Sequence, residues 1–146
     1  MEMVDSSLTI PGTVLEAKDS PSDLALVTPL VMRLVDRLVE EGCVAAKSRR
    51  KVELCFDEGL TNAVVHGNGC DFQKKISVLV FRDDESWGVV IKDEGEGFSL
   101  DDLPRLPPEE EVWQETGRGI RLMELYMDEI TYYDGGSTLM LRQQIK

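Results

Sequence analysis

A carboxylate and a carboxamide stand four residues apart in the run Glu58-Gly-Leu-Thr-Asn62-Ala-Val-Val-His66-Gly67. Residues at this spacing lie one above the other on a helix face, so Glu58, Asn62 and His66 form one polar row, its members about 40° apart. Advancing about 100° per residue from Val52, the apolar stripe is Val52, Cys55, Phe56, Gly59 and Ala63, and the polar row runs along its border. Such a row can look into a cleft. It is also the pattern of an ordinary half-exposed helix edge, and only the rest of the chain separates the two.

Two further clusters carry chemistry. Asp93-x-Gly95-x-Gly97 follows an apolar run. An aspartate there can accept hydrogen bonds from an exocyclic amine, and the glycines let a ligand approach the backbone, although a plain Asp-Gly turn has the same composition. The cluster does not continue as GxGxxG into a helix, and the chain lacks GxxxxGK[ST], so neither a dinucleotide fingerprint nor a P-loop is present. Gly117-Arg118-Gly119 opens a helical pattern. Exposed N–H groups at a helix start bind anions, and Arg118 would add a charge-assisted contact; a flexible helix entry is the alternative.

The elements that must position these clusters follow from periodicity. Leu8 to Glu16 alternates around Pro11-Gly12, which predicts an edge strand with a bulge or turn. Asp19 to Asp23 suits a helix entry. Val27, Leu30, Val31, Leu34, Val35 and Leu38 then repeat at helical spacing, with Gly42 as the C-terminal stop. Pro29 means that this helix either kinks or starts with Thr28 as cap and Pro29 as first residue; the second is preferred. A second helix runs from about Ala46 to His66 and stops at Gly67-Asn68-Gly69. Lys74–Arg82 and Trp87–Lys92 form a hairpin about Asp83–Ser86. About 18 residues from Ser99 to Thr116 hold Pro104, Pro107, Pro108 and the acidic run Glu109–Glu111, a length at which loops are functional or disordered. A helix with Ile120, Met123 and Met127 follows. A second hairpin, Glu129–Tyr133 with Ser137–Ile145, turns at Asp134-Gly135-Gly136. This order predicts an α+β two-layer sandwich, a mixed, mostly antiparallel sheet with helices on one face.

Composition sets the outer bounds. A 146-residue chain with 42% apolar and 30% charged residues is a globular domain able to bury roughly 70% of its unfolded surface, and we expect one domain over residues 1–146. No apolar run approaches the ~20 residues a bilayer needs, and no basic-then-apolar leader opens the chain, so a cytoplasmic protein without membrane association is expected. Cys43, Cys55 and Cys70 are odd in number, without CxxC spacing and with one histidine, which fits reduced thiols rather than disulfides or a zinc site. A net charge of −12 disfavours nucleic acid. Any polyphosphate ligand must then be held by local devices, such as backbone N–H groups and a metal ion. Lys47, Arg49, Arg50 and Lys51 form a basic cluster that is either a solvated helix end or a docking patch for an acidic partner.

The three clusters, in this order and with the long stretch between the second and third, resemble the N, G1 and G2 boxes of the GHKL (Bergerat-fold) ATPases. Within that superfamily the chain is most similar to the anti-sigma-factor serine/threonine kinases of the RsbW and SpoIIAB type. The residues that carry the resemblance are Glu58-x-x-Thr61-Asn62-Ala63-x-x-His66-Gly67, Asp93-x-Gly95-x-Gly97-Phe98 and Gly117-Arg118-Gly119-Ile120-x-Leu122-Met123. Met127-Asp128-Glu129-Ile130 and Gly135-Gly136-Ser137-Thr138 complete it.

The resemblance implies an ATP- and Mg²⁺-dependent kinase. Glu58 would be the general base and Asn62 would hold Mg²⁺ through its side-chain oxygen. Asp93 would receive the adenine amino group, with Gly95 and Gly97 letting the base approach. Gly117, Arg118, Gly119 and Ile120 would close on the phosphates as part of a lid spanning about residues 98–118. Thr138 would help to hold adenine through water, and His66 either contacts ligand or simply ends the helix. Two departures stand out: Gly59 where relatives more often have alanine, and Arg121 in place of a further glycine. The implied partners are a STAS-domain anti-sigma-factor antagonist as substrate, a sigma factor or similar protein as the sequestered ligand, and a second copy in a homodimer. A non-catalytic nucleotide-dependent switch is the alternative. A detached histidine-kinase domain fits less well, because the sole histidine lies inside the nucleotide box and no dimerisation helices precede it. Gyrase- or chaperone-type ATPases would need a following transducer domain.

Overall fold

A computed structural model describes residues 1–97 and 118–145. Six strands make one sheet: β1 Glu2–Met3, β2 Thr13–Pro21, β3 Lys75–Arg82, β4 Ser86–Lys92, β5 Glu129–Tyr133 and β6 Thr138–Gln144. Their spatial order is β1-β5-β6-β4-β3-β2, with β1 parallel to β5 and every other pair antiparallel. Helices α1 Val27–Glu40, α2 Arg49–Asn62 and α3 Arg118–Tyr126 pack on one face. This is the α+β sandwich with a mixed, mostly antiparallel sheet that the sequence predicts.

Strand alternation divides the apolar residues between two faces. Ile76, Val78 and Val80 of β3, Val89 and Ile91 of β4, and Leu139 and Leu141 of β6 meet the helices in the main core, where Leu34, Leu38, Val52, Phe56 and Trp87 are fully buried. Phe81, Val90 and Met140 point the other way and are covered by Leu8 and Ile10. α2 can lie close on the sheet because of Gly59: a Cβ there would come within 2.9 Å of Ile91 Cδ1 and 3.4 Å of Leu139 Cδ2. That close approach offsets the roughly 1 kcal/mol that glycine costs in a helix interior.

The structure moves three N-terminal boundaries. The first long strand is β2, which starts at Thr13 rather than Leu8; residues Leu8 and Ile10 instead pack over the second core cluster. Pro11-Gly12 precedes the strand instead of interrupting it, and the register shift lies between Val14 and Glu16. Asp19 to Pro21 continue the strand instead of entering a helix, because β3 supplies partners as far as Pro21. The α1 cap is also corrected. Asp23 accepts the Ala25 N–H at 3.0 Å and starts a 3₁₀ turn over Leu24–Leu26, and α1 then begins at Val27. Pro29 thus falls in the first helical turn, where the N–H it lacks has no partner in any case. Gly42 stops α1 with φ 74°, the left-handed conformation expected of it.

Of the basic cluster, Arg49 is engaged within the fold, while Lys47, Arg50 and Lys51 stand exposed at the helix start. Arg49 reaches Asp36 at 2.6 Å, Glu53 at 3.1 Å and the Met32 carbonyl at 3.3 Å, tying α2 to α1, while Lys51 lies over the Tyr126 ring. Cys43 and Cys55 are buried, and burial pushes the Cys55 thiol up to about 12, so it behaves as a small core residue. Among the described residues, no helix is long and apolar enough to cross a membrane.

The β3–β4 turn is held by one carboxylate. Asp83 accepts the backbone N–H groups of Glu85 at 2.8 Å and Ser86 at 2.7 Å, and Arg142 of β6 reaches it at 2.7 Å. These bonds, the Glu85 N–H foremost, lower its pKa to about 2. A lowered folded-state value means stability that is present above the unfolded pKa of about 4 and lost as pH falls toward 2. In acid titrations of stability, the advantage of the parent protein over Asp83→Asn should shrink across that window and be constant above it.

Candidate functional site

The C-terminal end of α2, the end of β4 and the start of β6 converge at one point. α2 does not simply stop: residues Ala63–Gly67 widen into a π-helical turn, with Asn68 N–H donating to the Ala63 carbonyl at 2.8 Å. Such widened turns recur at functional positions because they redirect a helix end without breaking it. The turn delivers Gly67 against Asp93, where a Cβ on Gly67 would be driven into the Asp93 carboxylate. A Cβ on Gly95 would strike the Gly67 carbonyl, and one on Gly97 (φ 82°) the Gly135 carbonyl. Three glycines therefore let three loops close to backbone contact.

Asp93 is fixed from both sides. Its N–H donates to the Ser137 carbonyl at 2.9 Å, and its Oδ1 accepts the Gly95 N–H at 2.8 Å. The side chain is half-buried. Burial raises its pKa, against the lowering effect of the Gly95 hydrogen bond and of the Lys74 charge.

Glu58, one turn before Asn62, is half-buried on the same side of the sheet. Burial raises its pKa first of all; Asp57 adds to this, while the Asn62 side-chain hydrogen bond and His66 oppose it. Asn62 stands one turn further along α2, where its carboxamide acts on the Glu58 carboxylate and brings a neutral oxygen to the same edge. Among the described residues, no group of three His, Cys, Asp or Glu side chains could hold a metal ion. The chain offers one neutral oxygen beside one carboxylate. That donor set suits Mg²⁺, which keeps most of its shell as water and substrate phosphate, and does not suit a dedicated protein cage.

Tyr132 of β5 and Asn68 stand buried beside these residues, and neither was singled out from sequence. Tyr132 is buried beside Leu139, which underlies Gly59. Burial, then the charges of Glu58 and Asp93, push its phenol up to about 12, so the neutral phenol shares an electrostatic neighbourhood with both carboxylates. Its only sequence signal was the inward register it shares with Ile130 two residues earlier. Asn68 is 3% exposed, accepts the Glu94 N–H at 2.8 Å through Oδ1 and donates to the Lys75 carbonyl at 3.0 Å through Nδ2. It pins the helix end to both flanking strands. In the sequence it read only as part of a Gly-Asn-Gly stop.

Glu58, Asn62, Asp93, Gly95 and Gly97 are therefore brought to one region, and His66 is exposed at its margin. Thr138 is not brought there: its hydroxyl lies 3.3 Å from Asp134 Oδ2, and the alternation of β6 turns it to the face away from the helices. Ser137 is the β6 neighbour that meets Asp93. The backbone of Arg118, Gly119 and Ile120 forms the first turn of α3. Gly117, with nearly all of the proposed lid, lies outside the described residues.

Residues 20–143 match the histidine kinase-like ATPase domain family. The chain belongs to that family. It is 30% identical over 103 residues to an anti-sigma F factor of Geobacillus sp. strain WCH70, covering 65% of this chain and 68% of that protein. The anti-sigma F factor of Geobacillus thermodenitrificans is 29% identical over 103 residues, with the same coverage, and that of Clostridium perfringens 26% over 99 residues, covering 64% of this chain and 71% of the relative. Membership of an ATPase domain family implies ATP binding.

Two outcomes follow from this geometry. Gly67→Ala should displace the Asp93 carboxylate and cost about 1–3 kcal/mol in denaturant unfolding, since the clash is with a half-buried polar group. The raised pKa of Glu58 means stability that is full below the unfolded value and lost as pH rises through the folded one. Glu58→Gln should accordingly be more stable than the parent at pH 7, with the difference vanishing below about pH 4.

Proposed function

We propose that this protein is an ATP-dependent protein serine/threonine kinase that phosphorylates a STAS-type anti-sigma-factor antagonist and sequesters a sigma factor or similar regulator. The observation that carries the reading is the half-buried pair Glu58–Asn62, set on α2 on the same side of the sheet as Asp93, in a chain similar to anti-sigma F factors. Asp93 receives the adenine amino group, and Gly95 and Gly97 let the Gly67 and Gly135 carbonyls close on the loop that presents it. Asn62 holds Mg²⁺ through its side-chain oxygen; when bound, the ion neutralises charge on the transferring phosphoryl oxygens. Glu58 accepts the proton of the attacking hydroxyl while that oxygen bonds to the γ-phosphorus and ADP departs. A carboxylate whose proton affinity is raised by burial is a better base than a solvated one at neutral pH. The G2-box residues Gly117, Arg118, Gly119 and Ile120 supply the phosphate contacts in this reading.

Transfer of radiolabel from γ-labelled ATP to a candidate antagonist tests it. Glu58→Gln should reduce transfer by about 10²–10⁴-fold with nucleotide affinity nearly kept, and the acid limb of the rate profile should lie above the usual glutamate range. Transfer by the variant equal to the parent's would remove Glu58 from the role of base. Nucleotide-dependent capture of the sigma factor without transfer would identify a switch that binds but does not catalyse.

A further inference from the structure

The β5–β6 turn lies between the N-terminal segment and the Asp93 loop and touches both. On one side, β1 runs along β5, Val4 N–H donates to the Tyr132 carbonyl at 2.8 Å, and Asp134 N–H donates to the Ser6 carbonyl at 3.2 Å. The Asp134 carboxylate accepts the Ser7 hydroxyl on Oδ1 at 3.0 Å and the Thr138 hydroxyl on Oδ2 at 3.3 Å. On the other side, the Gly135 carbonyl occupies the space of a missing Cβ on Gly97, and the Ser137 carbonyl accepts the Asp93 N–H at 2.9 Å. The turn is short and conformationally special: Asp134 itself sits at φ 53°, a region sparsely used by non-glycine residues, and Gly135 and Gly136 follow with positive φ.

We infer that Asp134 is a positioning residue, through which the N-terminal segment holds the Asp93–Gly97 loop in its closed form. No other described carboxylate joins the N-terminal segment to a loop of the site. Its two oxygens hold two hydroxyls, from segments 127 and 4 residues away in sequence, and so fix the plane of the turn. With the turn fixed, the carbonyls of Gly135 and Ser137 are presented to Gly97 and Asp93. The segment that Asp134 holds is thinly anchored, with Ser6 and Ser7 exposed and Leu8 and Ile10 half-buried. Anything that lifts residues 4–10 off the sheet would therefore release the turn and loosen the adenine-facing loop. The coupling to nucleotide rests on the kinase reading above; the coupling between the two segments does not.

Amide hydrogen exchange in the absence of nucleotide reads the segment coupling directly, because the N–H groups of Asp93, Glu94 and Gly95 are each hydrogen-bonded. Asp134→Gly keeps the positive φ and removes both side-chain bonds. Asp134→Asn also tolerates this φ and keeps an acceptor for Ser7, but its amide nitrogen cannot accept from Thr138. Exchange at Asp93 and Gly95 should rise about tenfold in Asp134→Gly, and less in Asp134→Asn and Ser7→Ala, with the global unfolding midpoint little changed. ADP affinity should fall about 3–10-fold in the same order. Unchanged exchange at residues 93–95 in Asp134→Gly, with residues 4–10 freed, would overturn the inference. Absence of ADP binding by the parent protein would count against the nucleotide reading alone, since the exchange comparison would still stand.

Discussion

The Asp93 carboxylate lies where a side chain on Gly67 would otherwise be, and much of the site depends on that contact. It can form only if the helix end, the strand end and the last hairpin come to backbone distance. The chain provides for this with glycine at positions 67, 95 and 97, each facing a polar atom of another loop. The cost is the partial burial of a carboxylate, which the Gly95 N–H and the Lys74 charge offset only in part. The π turn at Ala63–Gly67 belongs to the same constraint. It carries the last turn of α2 into the contact and leaves Asn68 free to satisfy two backbone groups, one on each flanking strand.

Two carboxylates with raised proton affinity near one buried phenol are not a stabilising arrangement. Burial acts against the charged form of both Glu58 and Asp93, and their charges in turn raise Tyr132. The fold tolerates them because the neighbouring core is tightly packed. Phe56 meets Trp87 at 5.9 Å between ring centroids, and Gly59 allows α2 to settle onto Ile91 and Leu139. Stability is thus concentrated one turn before the polar row, and the helix carries it into a region that would not hold itself together. This is the distribution expected where function and packing compete on one element.

Much of this was legible in the sequence, for physical reasons that differ by element. β3, β4 and the last hairpin stand out as apolar runs bounded by turn residues, because both sheet faces are covered: Val80 faces the helices and its apolar neighbour Phe81 the other cluster, and β4 is buried from Ser86 to Ile91. β2 was displaced because it is paired on one side only: Lys18, Asp19 and Ser20 are tolerated there and hide the strand. Pro29 misplaced the cap, since the first turn of a helix accepts proline at more than one position. The polar row of Glu58 and Asn62 was visible from spacing alone. The residues that complete their surroundings were not: Tyr132 and Asn68 are defined by what they face across the sheet, and no local pattern encodes that. Thr138 shows the converse. A motif match placed it beside the aspartate, whereas strand alternation turns its hydroxyl to the opposite face and leaves Ser137 next to Asp93.

The charge balance adds a constraint on what such a site can bind. At −12 the molecule repels a polyanion at long range, but at physiological ionic strength that repulsion fades within about 8 Å. Recognition of a nucleotide must therefore be a matter of the last few ångströms. Groups that act at that range stand at the converging ends of α2 and β4: the Asn62 carboxamide and the Glu58 and Asp93 carboxylates. None of these draws on the surface charge, and of the basic residues at the start of α2, Arg49 is already engaged with Asp36 and Glu53. The acidic surface therefore disfavours polyanions at long range without weakening a site built from short-range contacts.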